Sequence, residues 1–118
     1  MKIEEYINVK DLSERLDGDY DLFKELVDLF LEDTKGLLNK IEHAIKSNDP
    51  EQIRKSAHTL KGSVSNFSAK KAYDAALTLE NIGKDKTFEN IQNSFNILKT
   101  EIDNAIEALK MIKNNNRF

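Results

Sequence analysis

The chain has no cysteine and no tryptophan, and only one proline and four glycines among 118 residues. Without cysteine there is no disulfide framework and no thiol chemistry, which suits a reducing compartment. So little proline and glycine, with a third of the residues charged, points to helices rather than sheet. No apolar run approaches the roughly 18 residues of a membrane span. The start, Met1-Lys2-Ile3-Glu4-Glu5, lacks the pattern of a signal peptide. A soluble cytoplasmic protein without a membrane partner is therefore expected. The net charge of −3 speaks against nucleic acid as a partner, because such domains are usually strongly basic. No glycine-rich phosphate loop is present, so ATP binding through a P-loop is excluded. The length suits one domain, residues 1–118, built on one core.

What is present is helical periodicity. Asn8 can cap a short first helix with Val9, Leu12 and Leu16 on its apolar face and Gly18 as its stop. Asp19 caps a long helix over 19–48, in which Phe23, Val27, Phe30, Thr34, Leu37, Ile41 and Ala44 share a face. Gly36 inside it marks either a close contact or a weak point. Asp49-Pro50-Glu51-Gln52 is a strong helix start, with proline where its missing N–H costs nothing and Gln52 at the capping-box position. That helix runs over 49–67. Ser68 can cap a fourth over 68–83, with Ala72, Ala75, Ala76, Leu79 and Ile82 inward and Gly83 as its stop. Thr87 opens the last, 87–113, where Phe88, Ile91, Phe95, Leu98, Ile102, Ala105, Leu109 and Ile112 form a bundle seam. Asn114-Asn115-Asn116-Arg117-Phe118 reads as a frayed tail. Short connections between long amphipathic helices predict an all-α fold: an antiparallel up-and-down four-helix bundle, core 19–113, with a short extra N-terminal helix across one end.

His58 is the residue of chemical interest. At 100° per residue, Ile53, Ala57, Leu60, Val64 and Phe67 form a stripe centred about 140° away from it. Glu51, Arg54, Lys55, Lys61, Gly62 and Ser65 fall within about 60°. The histidine thus faces outward in a largely basic stripe. Gly62, one turn on, costs about 1 kcal/mol relative to alanine inside a helix, and its missing side chain would leave room for a close approach to His58. An imidazole with a pKa near 6.5 is mostly neutral at pH 7 and keeps a lone pair for attack. Cations nearby disfavour its protonation and favour an anionic group once it is attached. Taken from periodicity alone, an exposed histidine is also ordinary solvated surface. His43 lies on the polar side of its own helix among Asn39, Lys40, Lys46 and Ser47, and reads as surface. With two histidines on different helices and no cysteine, no metal site is expected.

Ala57-His58-Thr59-Leu60-Lys61-Gly62-Ser63 resembles the signature of histidine-containing phosphotransfer (HPt) domains. The flanks Leu29-Phe30-Leu31-Glu32-Asp33-Thr34 and Ala76-Leu77-Thr78-Leu79-Glu80 resemble that family's neighbouring helices, so the resemblance covers roughly residues 19–112. One position departs: the family often has glycine where this chain has Ser68, which bears on the shape of one turn. The resemblance implies a four-helix bundle and a phosphorelay intermediate. His58 would accept a phosphoryl group through Nε2 from a receiver-domain aspartyl phosphate and pass it to another receiver aspartate. Lys61 would stabilise the phosphoryl group, and Gly62 would give the receiver access. It implies no cofactor of the chain's own, Mg2+ supplied by the receiver, and no ATP site or turnover. The expected partners are response-regulator receivers and a hybrid sensor histidine kinase. Docking candidates are Arg54, Lys55 and Ser65 on the His58 stripe, and Leu29 and Leu31 off the centre of their helix's buried face. Two alternatives stay open, a non-catalytic helical interaction module and a dimerising histidine phosphotransferase. The single apolar seam and short connections favour a closed monomer.

Overall fold

The computed structural model describes residues 1–116 and 118. A 3-10 turn at Ile3–Glu5 leads into α1 (Val9–Arg15), α2 (Tyr20–Lys46), α3 (Pro50–Ser65) and α4 (Lys70–Asp85). A second 3-10 turn at Phe88–Asn90 opens α5 (Ile91–Asn114). The first three helices start as their sequences predict. Asn8, Asp19 and Asp49 accept hydrogen bonds from the backbone N–H groups of Asp11, Leu22 and Gln52 at 3.0, 3.0 and 3.1 Å.

Helices α2 to α5 pack in a closed ring, each against the next and α5 back on α2. Their apolar stripes meet in one core. Phe23, Val27 and Ile41 of α2 are fully or almost fully buried there with Ile53, Ala57 and Leu60 of α3, Leu79 of α4, and Phe95, Leu98, Ile102 and Leu109 of α5. Burying each large apolar side chain contributes about 1.5–3 kcal/mol, far more than any cap or surface ion pair. Ile7 and Leu12 join the same core from the N-terminal segment. Successive contacts along α3 meet α4 in falling order: Arg54 against Gly83, His58 against Glu80, Lys61 against Tyr73. The two helices are therefore antiparallel. Among the described residues there is no strand, and no helix is long and apolar enough to cross a membrane.

Four local expectations are corrected. Gly83 is not the stop of α4 but a buried interior residue. A Cβ there would lie 2.7 Å from both the Arg54 nitrogen and the Pro50 carbonyl oxygen, so the glycine is what lets the α3 and α4 backbones touch. The helix runs on to Asp85 and ends at Lys86, which takes a left-handed conformation with φ 57°. Ser68 does not cap α4. It sits in the left-handed region itself, φ 55°, where glycine would be free of strain. Its carbonyl accepts from the Asn8 N–H, and its hydroxyl donates to the Asp11 carboxylate, so the turn is tied to α1. That hydroxyl, followed by Arg15, holds the Asp11 carboxyl below the usual carboxylate range. Thr87 opens only the 3-10 turn, with no side-chain cap.

The tail is the fourth. Phe118 packs its ring edge-on against Phe23 and Tyr20, with centroids 5.1 and 6.1 Å apart. The Tyr20 hydroxyl donates to the Lys113 carbonyl. Arg117 lies outside the described residues. Gly36, by contrast, is exposed with nothing within 4 Å of an added Cβ, so it is a weak point and not a contact.

The glycines give a stability test. Gly83→Ala is expected to lower the unfolding free energy by about 1–3 kcal/mol, because backbone atoms cannot yield as a flexible side chain can. Gly36→Ala is expected to raise it by about 0.5–1 kcal/mol. Urea denaturation of the two variants beside the wild type reads both signs.

Candidate functional site

The site is built where α3 crosses the level of Glu80 on α4. Ala57, Leu60 and Val64 are fully buried, which turns the opposite side of α3 to solvent. The His58 side chain is 62% exposed there, near the middle of its helix. Its backbone is secured by buried neighbours: Ser56 is 3% exposed, and its hydroxyl accepts from the Gln52 side-chain amide at 2.6 Å.

The ring is not free to turn. Its Nδ1 lies 2.8 Å from Oε2 of Glu80. A carboxylate can only accept, so the Nδ1 nitrogen carries the hydrogen and donates it. A neutral ring held in this way keeps its lone pair on Nε2, the nitrogen left without this contact. The other Glu80 oxygen, Oε1, lies 2.7 Å from the Lys61 ammonium. Glu80 and Lys61 are only 15% and 18% exposed, so solvent screens this group less than an ordinary surface pair. Burial pushes the Glu80 pKa up, but Lys61 and then His58 outweigh it and hold the carboxyl below its usual range. The same contact raises the Lys61 pKa. Glu80 is therefore the ionised centre of the group, with one partner on each oxygen.

Sequence reasoning did not assign Glu80 a role. The residue was visible only inside the Ala76–Glu80 flank, and its outward position on α4 looks like that of any solvated carboxylate. The Lys61 ammonium lies on Glu80, with the ring on the carboxylate's other oxygen. Arg54 pairs with Glu51 on its own helix, a contact that raises the arginine's pKa and, ahead of the opposing effect of burial, lowers the glutamate's. The basic stripe is thus partly neutralised, by Glu51 on the same stripe and by Glu80, which the periodicity of α3 did not place. Lys55 is exposed.

Gly62 is exposed, with nothing within 4 Å of an added Cβ. No internal contact requires a glycine at 62, in contrast to 83. Ser65 is half-buried beside a polar hollow shared with Asp11, Arg15, Ser68 and Tyr73. The two leucines separate. Leu29 is 56% exposed and lines a cleft of about 510 Å³ with Leu16, Leu26, Phe30 and Phe67, rimmed by Arg15 and Asp33. Leu31 is half-buried and packs against the core, because two residues along a helix turn it by about 200°. His43 is exposed on α2.

The bundle thus carries His58 exposed on α3 with its Nδ1 held by Glu80. The family model described as the Hpt domain matches residues 25–111. The chain belongs to the Hpt domain family, the histidine phosphotransfer modules of phosphorelays, which act as phosphocarriers rather than catalysts. Its partners are accordingly of the two-component kind, such as receiver domains. The fold is similar to the crystal structure of histidine-containing phosphotransfer protein B (HptB) from Pseudomonas aeruginosa PAO1. The TM-score is 0.86 at 19% identity, over 93% of this chain and 96% of that one. No curated protein matches.

The ionised Glu80 makes a pH prediction. Its folded pKa is depressed, so the stability it contributes is present above the unfolded value, 4.5, and is lost as pH falls through the folded value. The stability advantage of wild type over Glu80→Gln is expected to be full near pH 7 and to close as pH falls below 4.5 and through the folded value. Denaturation midpoints of both proteins across pH 3–7 check the sign, and an advantage that grew on acidification would contradict it.

Proposed function

We propose that His58 is the phospho-accepting residue and that its Nε2 is the nucleophile. The observation that carries this reading is the pairing of Nδ1 with Glu80, which leaves the other nitrogen's lone pair on an exposed ring. His58 takes the phosphoryl group from the aspartyl phosphate of one receiver and delivers it to the aspartate of another. In-line attack needs an accessible nucleophile, and 62% exposure provides it. Lys61 sits with Glu80 beside the ring and adds positive charge where a phosphoryl group with about two negative charges arrives. Mg2+ comes from the acidic pocket of the receiver. The chain binds no cofactor and no ATP of its own and has no turnover alone. It works as a monomer in the cytoplasm, between receivers and a hybrid sensor kinase.

The receiver docks over the α2–α3 side of His58. The open space at Gly62 supports this, as does the apolar cleft lined by Leu29. Arg54, Lys55 and Ser65 border the approach on α3, while Leu31, about 200° round α2 from Leu29, packs against the core.

Incubation with a phosphorylated receiver tests the reading. Wild type is expected to gain an acid-labile, base-stable label, and His58→Gln is expected to gain none while keeping its fold within about 0.5 kcal/mol. Label retained in that variant would move the acceptor, with His43 the other histidine to try. Docking and chemistry should separate. Gly62→Leu is expected to weaken receiver affinity and transfer together, with the bundle up to about 1 kcal/mol more stable from helix propensity. Lys61→Ala is expected to keep affinity and slow transfer about tenfold. Affinity and single-turnover rate for both variants read the difference, and normal transfer by Gly62→Leu would remove the access role.

A further inference from the structure

The group on Nδ1 of His58 is a carboxylate, and an amide in its place would make the same hydrogen bond without the charge. We propose that the negative charge of Glu80 sets how readily His58 takes up and gives up its phosphoryl group, and so how long the phosphorylated protein persists. The inference rests on His58 being the acceptor.

Electron and proton balance shows where the charge acts. In loading, the Nε2 lone pair forms the N–P bond. The P–O bond to the donor aspartate breaks, and its electron pair leaves with that carboxylate. The hydrogen on Nδ1 stays where it is, so the ring becomes a cation bearing phosphoryl on Nε2. Glu80 Oε2 already lies 2.8 Å from the nitrogen that shares this positive charge. It therefore stabilises the ring more after attack than before it, which is the condition for a rate effect. In discharge the N–P bond breaks and its electrons return to Nε2, while an oxygen of the acceptor aspartate, or of water, bonds phosphorus. The cationic ring leaves as neutral imidazole. A ring that had lost its Nδ1 hydrogen would have to leave as an anion, which is far harder. Holding that hydrogen in place keeps the phosphoryl group transferable and, by the same chemistry, hydrolysable.

The surroundings keep Glu80 able to do this. From α3, Lys61 lies 2.7 Å from its Oε1, His58 holds its Oε2, and the Arg54 charge reaches it from one turn before His58. On α4 itself, Tyr73 lies under the Lys61 ammonium, 5.9 Å from ring centre to nitrogen. With cations on the far side and 15% exposure, the carboxylate stays ionised and does not take the ring's hydrogen for itself. Lys61 is in this respect a positioning residue, acting on the ring through Glu80.

The test loads His58 with phosphoramidate, a small phosphoryl donor, so that no receiver enters the measurement. In wild type the Nδ1 hydrogen of the phosphorylated ring, followed by 15N NMR, is expected to titrate at higher pH than in a phosphohistidine peptide. In Glu80→Gln the unphosphorylated ring is expected to keep its hydrogen on Nδ1. Its phosphorylated form is expected to titrate at lower pH and to survive about tenfold longer at pH 7, and loading is expected to be about tenfold slower. Titration and lifetime equal to wild type in Glu80→Gln, or a peptide-like titration in wild type, would overturn the inference. Phosphoryl found away from His58 in wild type would instead overturn the assignment of the acceptor.

Discussion

The close packing of α3 on α4 is the constraint on which the site depends. Gly83 removes a Cβ that would hold the two backbones apart at the level of Pro50 and Arg54. Ala72, Ala75 and Ala76 keep much of the α4 inner face small beside Leu79 and Ile82. With the backbones this near, the Glu80 side chain spans to His58 and Lys61 with both oxygens at 2.7–2.8 Å. A wider separation would leave the histidine as free surface and the lysine as an ordinary solvated cation. The roughly 1 kcal/mol lost by placing glycine in a helix is thus offset by the packing and the ion group it permits.

Charge is organised across helices at the site and mostly along helices elsewhere, although Lys113 of α5 also pairs with Asp28 of α2. Arg54 with Glu51, Arg15 with Asp11, and Lys70 with Asp74 are pairs within one helix, and such exposed pairs contribute a few tenths of a kcal/mol. The pair between Lys61 and Glu80 joins two helices, is largely shielded, and has His58 as a third member. It is the arrangement in which a pairing of ordinary side chains changes chemistry, because it selects which ring nitrogen carries the hydrogen.

The helix ends share a second regularity. Asp17, Asn48, Ser68, Lys86 and Asn116 all take positive φ just beyond a helix, and Gly18 joins them. Aspartate and asparagine tolerate this conformation well, serine and lysine less so. At Ser68 the strain is met by two bonds to the N-terminal segment, one from its hydroxyl to Asp11 and one from Asn8 to its carbonyl. The position where the family often has glycine does need a left-handed residue here. This chain fills it with a serine that also anchors α1 beside the cleft under Leu29.

Periodicity and capping chemistry are local, and what they control was readable in the residues. The buried faces of α2, α3 and α5, the starts at Asn8, Asp19 and Asp49, and the outward direction of His58 all follow from about 100° per residue and the demands of the first turn. The seven residues from Ala57 to Ser63 were enough to indicate the family. What depends on two helices at once was not readable. Glu80 is 22 residues from His58, and whether its carboxylate meets the ring depends on the rotation and height of α4 against α3. Those follow from how Gly83, Leu79 and Ala76 seat on α3, not from any pattern within α4. The same reason separates Gly83 from Gly62, and a packed Phe118 from a frayed tail. The sequence by itself determined which side of each helix is buried and that His58 faces outward. Only the tertiary structure decided which carboxylate holds it, because that depends on a distance between backbones that no single helix encodes.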